Sequence, residues 1–138
     1  MSAKDIYHDV VVQSLKKEKW KITHDPFTLS YGGKNLFVDI GAEKSFVAAQ
    51  RDDQKVAIEI KSFISPSPIN ELEKAVGQFA IYRSLLTQIE PDRILYIAVP
   101  QRIYEDLLTD KFGQLIIESL DIKLIIFDPK GERSIKWL

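Results

Sequence analysis

Val56-Ala57-Ile58-Glu59-Ile60-Lys61-Ser62-Phe63 reads as the middle of a buried strand, yet it carries an acid and a base two residues apart. Strand side chains alternate between the faces of a sheet, so residues two apart point the same way. Val56, Ile58 and Ile60 therefore share one face, and Ala57, Glu59 and Lys61 share the other. Such a charged face either looks at water, where ion pairs contribute little to stability, or holds its charges for a chemical purpose. What lies beside it decides between the two.

Upstream, Leu36-Phe37-Val38-Asp39-Ile40 predicts a strand over 36–40 in which Asp39 faces away from Leu36, Val38 and Ile40. With the two strands as neighbours in one sheet, Asp39, Glu59 and Lys61 converge on one patch. Two carboxylates at one point suit Mg²⁺ (or Mn²⁺), which prefers hard oxygen donors. A lysine beside them can neutralise charge on a phosphate oxygen. The acid-x-lysine pattern by itself is common, with four matches here: Asp53/Lys55, Glu59/Lys61, Asp121/Lys123 and Asp128/Lys130. The first and last fall in predicted turns, and the third has no acidic residue on an upstream neighbouring strand. Only Glu59/Lys61 combines strand context with Asp39.

The remaining pattern places that strand in a mixed α/β order. Ser2 and Asp5 fit a capping box opening a helix that runs to about residue 19. Strands are expected over 20–24, 27–31, 36–40, 46–51 and 55–63, with turns at Asp25-Pro26, Gly32-Gly33 and Asp52-Asp53. Ser67-Pro68 or Asn70 begins a long helix reaching about residue 87. A strand over 93–99, one or two helices within 101–120, a strand over 122–127 and a short closing strand over 134–138 complete the chain. This order predicts a mixed sheet with helices on both faces, in one domain over 1–138. In the long helix Gln78 and Tyr82 stand four apart and share a face.

Composition narrows the chemistry. The 138 residues contain no cysteine, which removes disulfides, thiol nucleophiles and cysteine-ligated zinc. No apolar stretch has signal or membrane-spanning length, so a cytoplasmic protein without membrane contact is expected. A net charge of −1 excludes binding nucleic acid chiefly through a bulk positive field. Lys16, Lys17, Lys19 and Lys21 read as a solvated helix end. His8 and His24 read as structural or surface residues, and Trp20, Tyr96 and Trp137 as packing.

Asp39 followed by Glu59-x-Lys61 on a strand resembles the site of the PD-(D/E)xK nucleases. The helix bearing Gln78 and Tyr82 resembles the RecB-like branch, where the glutamine lies beside the metal and the tyrosine near DNA. Val38, not proline, precedes Asp39, a departure from the commonest pattern. Whole segments sharpen the likeness. Tyr7-His8, Trp20 to Pro26, Asp39-Ile40-Gly41-Ala42-Glu43, the 57–63 strand, Gly77 to Arg83, Leu95 to Pro100 and the tail from Phe127 to Trp137 together resemble the XisH family.

That resemblance implies a restriction-endonuclease-like fold and a role as an fdxN element excision controlling factor. It implies site-specific DNA rearrangement, as in cyanobacterial heterocysts, with DNA and a small XisI-like companion as partners. A homodimer is expected, because one small domain rarely grips both sides of a duplex. The implied site has Asp39, Glu59 and the Ile60 carbonyl as metal ligands, Asp39, Glu59 and Lys61 as catalytic residues, and Gln78 and Tyr82 at the substrate. Related nucleases often add a polar residue from the first helix, for which Asp5, His8 and Asp9 are open candidates. Glu43 is read equally as an outer contact or a surface residue. Two other readings stand beside this one: a catalytically inactive module that binds DNA or a partner, and a toxin or antiviral nuclease held quiet by its companion.

Overall fold

A computed structural model describes residues 5–44 and 54–138. Ser2 of the expected capping box, the strand expected over 46–51 and the turn at Asp52-Asp53 lie outside the described residues. Among those described, α1 (His8–Lys17) is followed by β1 (Lys21–His24), β2 (Phe27–Tyr31), β3 (Lys34–Val38), β4 (Ile40–Lys44) and β5 (Gln54–Ile60). Next come α2 (Pro68–Ile89), β6 (Arg93–Pro100), a helical turn α3 (Gln101–Ile103) that widens into a π-helical turn over Tyr104–Leu108, and α4 (Lys111–Ser119). β7 (Leu124–Phe127) and β8 (Lys136–Trp137) end the chain.

Six strands form the central sheet in the order β1-β4-β5-β6-β7-β8, while β2 and β3 form a separate hairpin. β5, β6 and β7 run parallel, and the other neighbours pair antiparallel. The parallel pairs need crossovers, supplied by α2 and by α3–α4. β7 is apolar at every position, Leu-Ile-Ile-Phe, as befits a strand covered on both faces.

The alternation of the opening strand holds. Val56, Ile58 and Ile60 pack with Val11 and Leu15 of α1 on one side of the sheet. Ala57 packs on the other side with Phe79 and Tyr82 of α2 and with Phe27, Leu29 and Val38 of the hairpin. α2 buries Leu72, Ala75, Phe79, Tyr82 and Leu86, a stripe spaced three and four residues apart. Ser67 caps its first turn by accepting from the Asn70 N–H at 3.3 Å, with Pro68 at the first helical position. Burial of Phe79 alone removes enough apolar surface to stabilise the fold by about 2–3 kcal/mol.

The strand expected over 36–40 is two strands. β3 ends at Val38 in the hairpin and β4 begins at Ile40 in the central sheet, with Asp39 at the break. β3 therefore does not neighbour β5 in a sheet; β4 does, with Ile40 opposite Ile58. An unbroken apolar alternation across residues 36–40 hides this, because the switch is one of hydrogen-bond partners rather than of side-chain polarity. Gly41 makes the close approach possible. A Cβ there would stand 2.9 Å from the Phe27 ring and 3.0 Å from His24 Cβ.

Candidate functional site

Asp39 and Glu59 come together because β4 and β5 are adjacent and antiparallel. The Asp39 carboxylate (Oδ2) accepts from the Ile60 N–H at 2.8 Å, and Glu59 Oε1 accepts from the Asp39 N–H at 3.3 Å. Each acid is thus held by the backbone of the other's strand. Glu59 is 9% exposed, and Lys61 Nζ stands 3.4 Å from its other oxygen. Lys61 lies one residue past the end of β5, but its N–H still donates to Ala98 O at 2.9 Å and continues the ladder. That bond fixes the direction in which the lysine leaves the sheet.

These residues floor a cavity of about 400 Å³ at the carboxyl end of β5. One wall is α2, from which Glu71, Gln78 and Tyr82 line the cavity; the opposite wall is β3, through Asn35, Leu36 and Phe37. Asp5 lines the cavity from the N-terminal side. All five side chains singled out from the sequence, Asp39, Glu59, Lys61, Gln78 and Tyr82, line this one space, as does Ile60.

The electrostatics follow from recessing two acids together. Burial pushes the Glu59 carboxyl up to about 7, helped by the Asp39 charge and opposed by Lys61. Burial also raises Asp39, against the Ile60 N–H and the nearby His8 and Lys61, which favour its ionised form. Tyr82 is pushed up to about 12 by burial and by the charges of Glu59 and Asp39, so its hydroxyl stays protonated and can donate.

This donor set fits a hard divalent cation. Gln78 Oε1 is buried without a hydrogen-bond partner beside the two acids, an oxygen lacking a donor. Among the described residues no three His, Cys, Asp or Glu side chains form a ready metal cage. Mg²⁺ does not need one, since it is commonly held by one or two carboxylates and completes its shell with water and substrate oxygens.

Most of the other candidates fall elsewhere. His8 is 3% exposed, with Nε2 within 3.0 Å of the Asp25 carboxylate, so it joins α1 to the β1–β2 turn and sits behind Asp39 rather than in the cavity. Asp5 is the candidate from the first helix region that reaches the cavity, and its Oδ1 accepts from the Tyr7 N–H at 2.8 Å. Glu43 lies in β4 opposite Lys21 and Lys55, away from the lining residues. His24 is exposed, with Thr23 Oγ1 2.9 Å from its Nδ1. The Asp128 carboxylate accepts backbone N–H groups from Lys130, Glu132 and Arg133, so it shapes a turn.

Glu71, Asn35, Leu36 and Phe37 were not singled out from the sequence. Glu71 had a usable signal, since it lies one heptad before Gln78 on the same helix face. The β3 residues had none, because their place beside the cavity depends on the hairpin folding over the sheet.

The architecture and site define a mixed α/β protein with a two-carboxylate, one-lysine cavity at a strand end. The chain belongs to the XisH family, described as XisH protein, whose profile matches residues 1–135. The crystal structure of an XisH family protein from Nostoc punctiforme PCC 73102 is 38% identical, with TM-score 0.86 over 97% of this chain and 99% of that chain. That of a fdxN element excision controlling factor protein from Anabaena variabilis is 41% identical, with TM-score 0.84 over 97% of this chain and 98% of that chain. A search of curated protein sequences gives no match. Among the described residues no helix is long and apolar enough to cross a membrane.

Proposed function

We propose that this protein is an excision controlling factor that processes DNA at the cavity floored by Asp39 and Glu59, through metal-dependent phosphodiester hydrolysis on a restriction-endonuclease-like fold. The observation that carries the reading is the convergence of Asp39, Glu59, Lys61, Gln78 and Tyr82 on one recessed space.

In this reading Asp39, Glu59 and the Ile60 carbonyl hold Mg²⁺ or Mn²⁺, with Gln78 Oε1 as an adjoining oxygen. The ion, when bound, supplies Lewis-acid stabilisation of a phosphodiester and lowers the pKa of a coordinated water. Lys61 places its ammonium against the phosphate oxygen on which charge develops, where a fixed cation in a recessed site is worth far more than in water. The protonated Tyr82 hydroxyl donates to the same phosphate group, and the reciprocal clasp of Asp39 and Glu59 keeps both acids in place without reorganisation. The protein acts in the cytoplasm with a XisI-like companion and as a homodimer.

Incubation of the protein, alone and with its companion, with plasmid and oligonucleotide DNA in Mg²⁺ or Mn²⁺ tests this. Cleavage by the native protein that is abolished in Glu59→Gln and Lys61→Met supports it. Cleavage surviving both substitutions would assign the activity to another site.

A further inference from the structure

Two walls flank the acids, and they differ in kind. α2 contributes Glu71, Gln78 and Tyr82, while β3 contributes Asn35, Leu36 and Phe37. Among the described residues β3 hydrogen-bonds to β2, and its other edge pairs with none of them. In the hairpin register Thr28 faces Phe37 and Ser30 faces Asn35, and all four are exposed. Phe37 is thus a 42% exposed ring on an otherwise polar face, at the mouth of the cavity. Core packing does not explain it, because the apolar residues of the hairpin, Phe27, Leu29 and Val38, point the opposite way.

Asn35 is oriented. The Ser30 hydroxyl donates to its Oδ1 at 2.7 Å, and among the described residues nothing accepts from its amide N–H₂, which can donate beside Phe37. An exposed ring next to an oriented amide donor is the pairing by which proteins hold unpaired bases, the ring by stacking and the amide by bonding the base edge.

Charge points the same way. Of the ionisable side chains lining the cavity among the described residues, Asp5, Asp39, Glu59 and Glu71 are acidic and Lys61 is the cationic one. A duplex approaches with phosphates outward and bases stacked inside, so it meets this acidic mouth at its least favourable. An unpaired strand can offer a base face to Phe37, and stacking needs no positive field. The cavity volume of about 400 Å³ lies in the range that holds one small-molecule-sized group, such as a single nucleotide.

We infer that the β2–β3 hairpin is a base-stacking wall, on which Phe37 and Asn35 hold an unpaired nucleotide, so that the strand entering the cavity is single-stranded DNA rather than intact duplex. The inference rests on the part of that reading which makes the cavity a DNA-binding site.

Fluorescence anisotropy of a labelled single-stranded oligonucleotide and of the same sequence as a blunt duplex, both in Ca²⁺, measures the preference. Single strand binds roughly tenfold tighter than duplex, and Phe37→Ala loses about that factor for single strand alone, as one stacked base requires. Phe37→Tyr retains it, and 2-aminopurine in the oligonucleotide is quenched by the native protein and by Phe37→Tyr but not by Phe37→Ala. Equal affinity for the two forms, or unchanged single-strand binding in Phe37→Ala, would overturn the inference. Stacking on Phe37 without any cleavage in Mg²⁺ would overturn the hydrolytic reading and leave this inference standing. Duplex cleavage indifferent to Phe37→Ala would do the reverse.

Discussion

Asp39 and Glu59 hold each other across the β4–β5 pairing: the carboxylate of one accepts from the strand that carries the other, at 2.8 Å and 3.3 Å. Neither acid can move without releasing a backbone donor. The arrangement keeps two acids close in a recessed place, and burial raises both carboxyls, with the Asp39 charge adding to the rise at Glu59.

Glu59→Gln is therefore expected to stabilise the metal-free protein at alkaline pH. The folded carboxyl titrates near 7 against an ordinary 4.5, so between those values the folded state binds more protons than the unfolded one. Stability contributed by this group falls as pH rises through that window, because the sign follows the proton excess of the folded state. The substitution recovers on the order of 3 kcal/mol at pH 8 by the pKa difference and nothing at about pH 4. Urea unfolding at the two pH values measures it, and an equal effect at both would contradict the assignment.

Binding of Mg²⁺ or Mn²⁺ competes with the proton that the paired acids retain. Calorimetric titration is expected to show affinity rising roughly tenfold per pH unit below about pH 7, with proton release, and levelling above it. Asp39→Asn and Glu59→Gln each abolish the heat. Metal-dependent thermal stabilisation disappears on chelation with EDTA and in the same two variants.

Lys61→Met separates binding from chemistry. The ammonium lies 3.4 Å from Glu59 but is not a metal ligand, so metal affinity at pH 8 is largely kept. Cleavage falls by about 10²–10³-fold, the usual cost of removing one fixed charge-stabilising group. A parallel loss of metal binding would make Lys61 a structural support for the acids instead.

Arg93 tests how the wall of the site is anchored. Its side chain is 2% exposed, Nη1 donates to Val56 O at 2.9 Å, Nη2 bridges Glu90 at 3.0 Å, and the guanidinium lies 4.6 Å from the Phe27 ring centroid. One residue thus ties the end of α2, strand β5 and the hairpin together. Arg93→Met is expected to cost about 1–3 kcal/mol, since it takes the donor from the buried Val56 carbonyl and leaves Glu90 to Lys55 at 3.7 Å. The loss is read as a lower urea midpoint with unchanged slope.

Gly41→Ala probes the break at Asp39. The added methyl meets Phe27 and His24 at about 3 Å, and overpacking of this kind costs about 1–3 kcal/mol. Because Gly41 follows Asp39 by two residues, metal affinity drops along with thermal stability, whereas Gly77→Ala, which meets nothing within 4 Å, lowers neither.

Local periodicity reached far into this protein. Alternation in 55–63 assigned each side chain of β5 to its face, and the four-residue spacing of Gln78 and Tyr82 put both on the cavity side of α2, because strand and helix geometry depend only on sequence spacing. Spacing in the chain could not say which sheet a strand joins. Residues 34–44 form two strands in two sheets, although their apolar pattern is continuous, since the change at Asp39 is a change of hydrogen-bond partner. Nor could it bring Phe37, Asn35 and Asp5 to the carboxylates or seat His8 against Asp25, contacts made only when distant segments pack. Residue types and their faces were settled locally, by backbone geometry. The cavity itself was decided by long-range pairing, because its two walls come from a hairpin and a helix that meet only over the folded sheet.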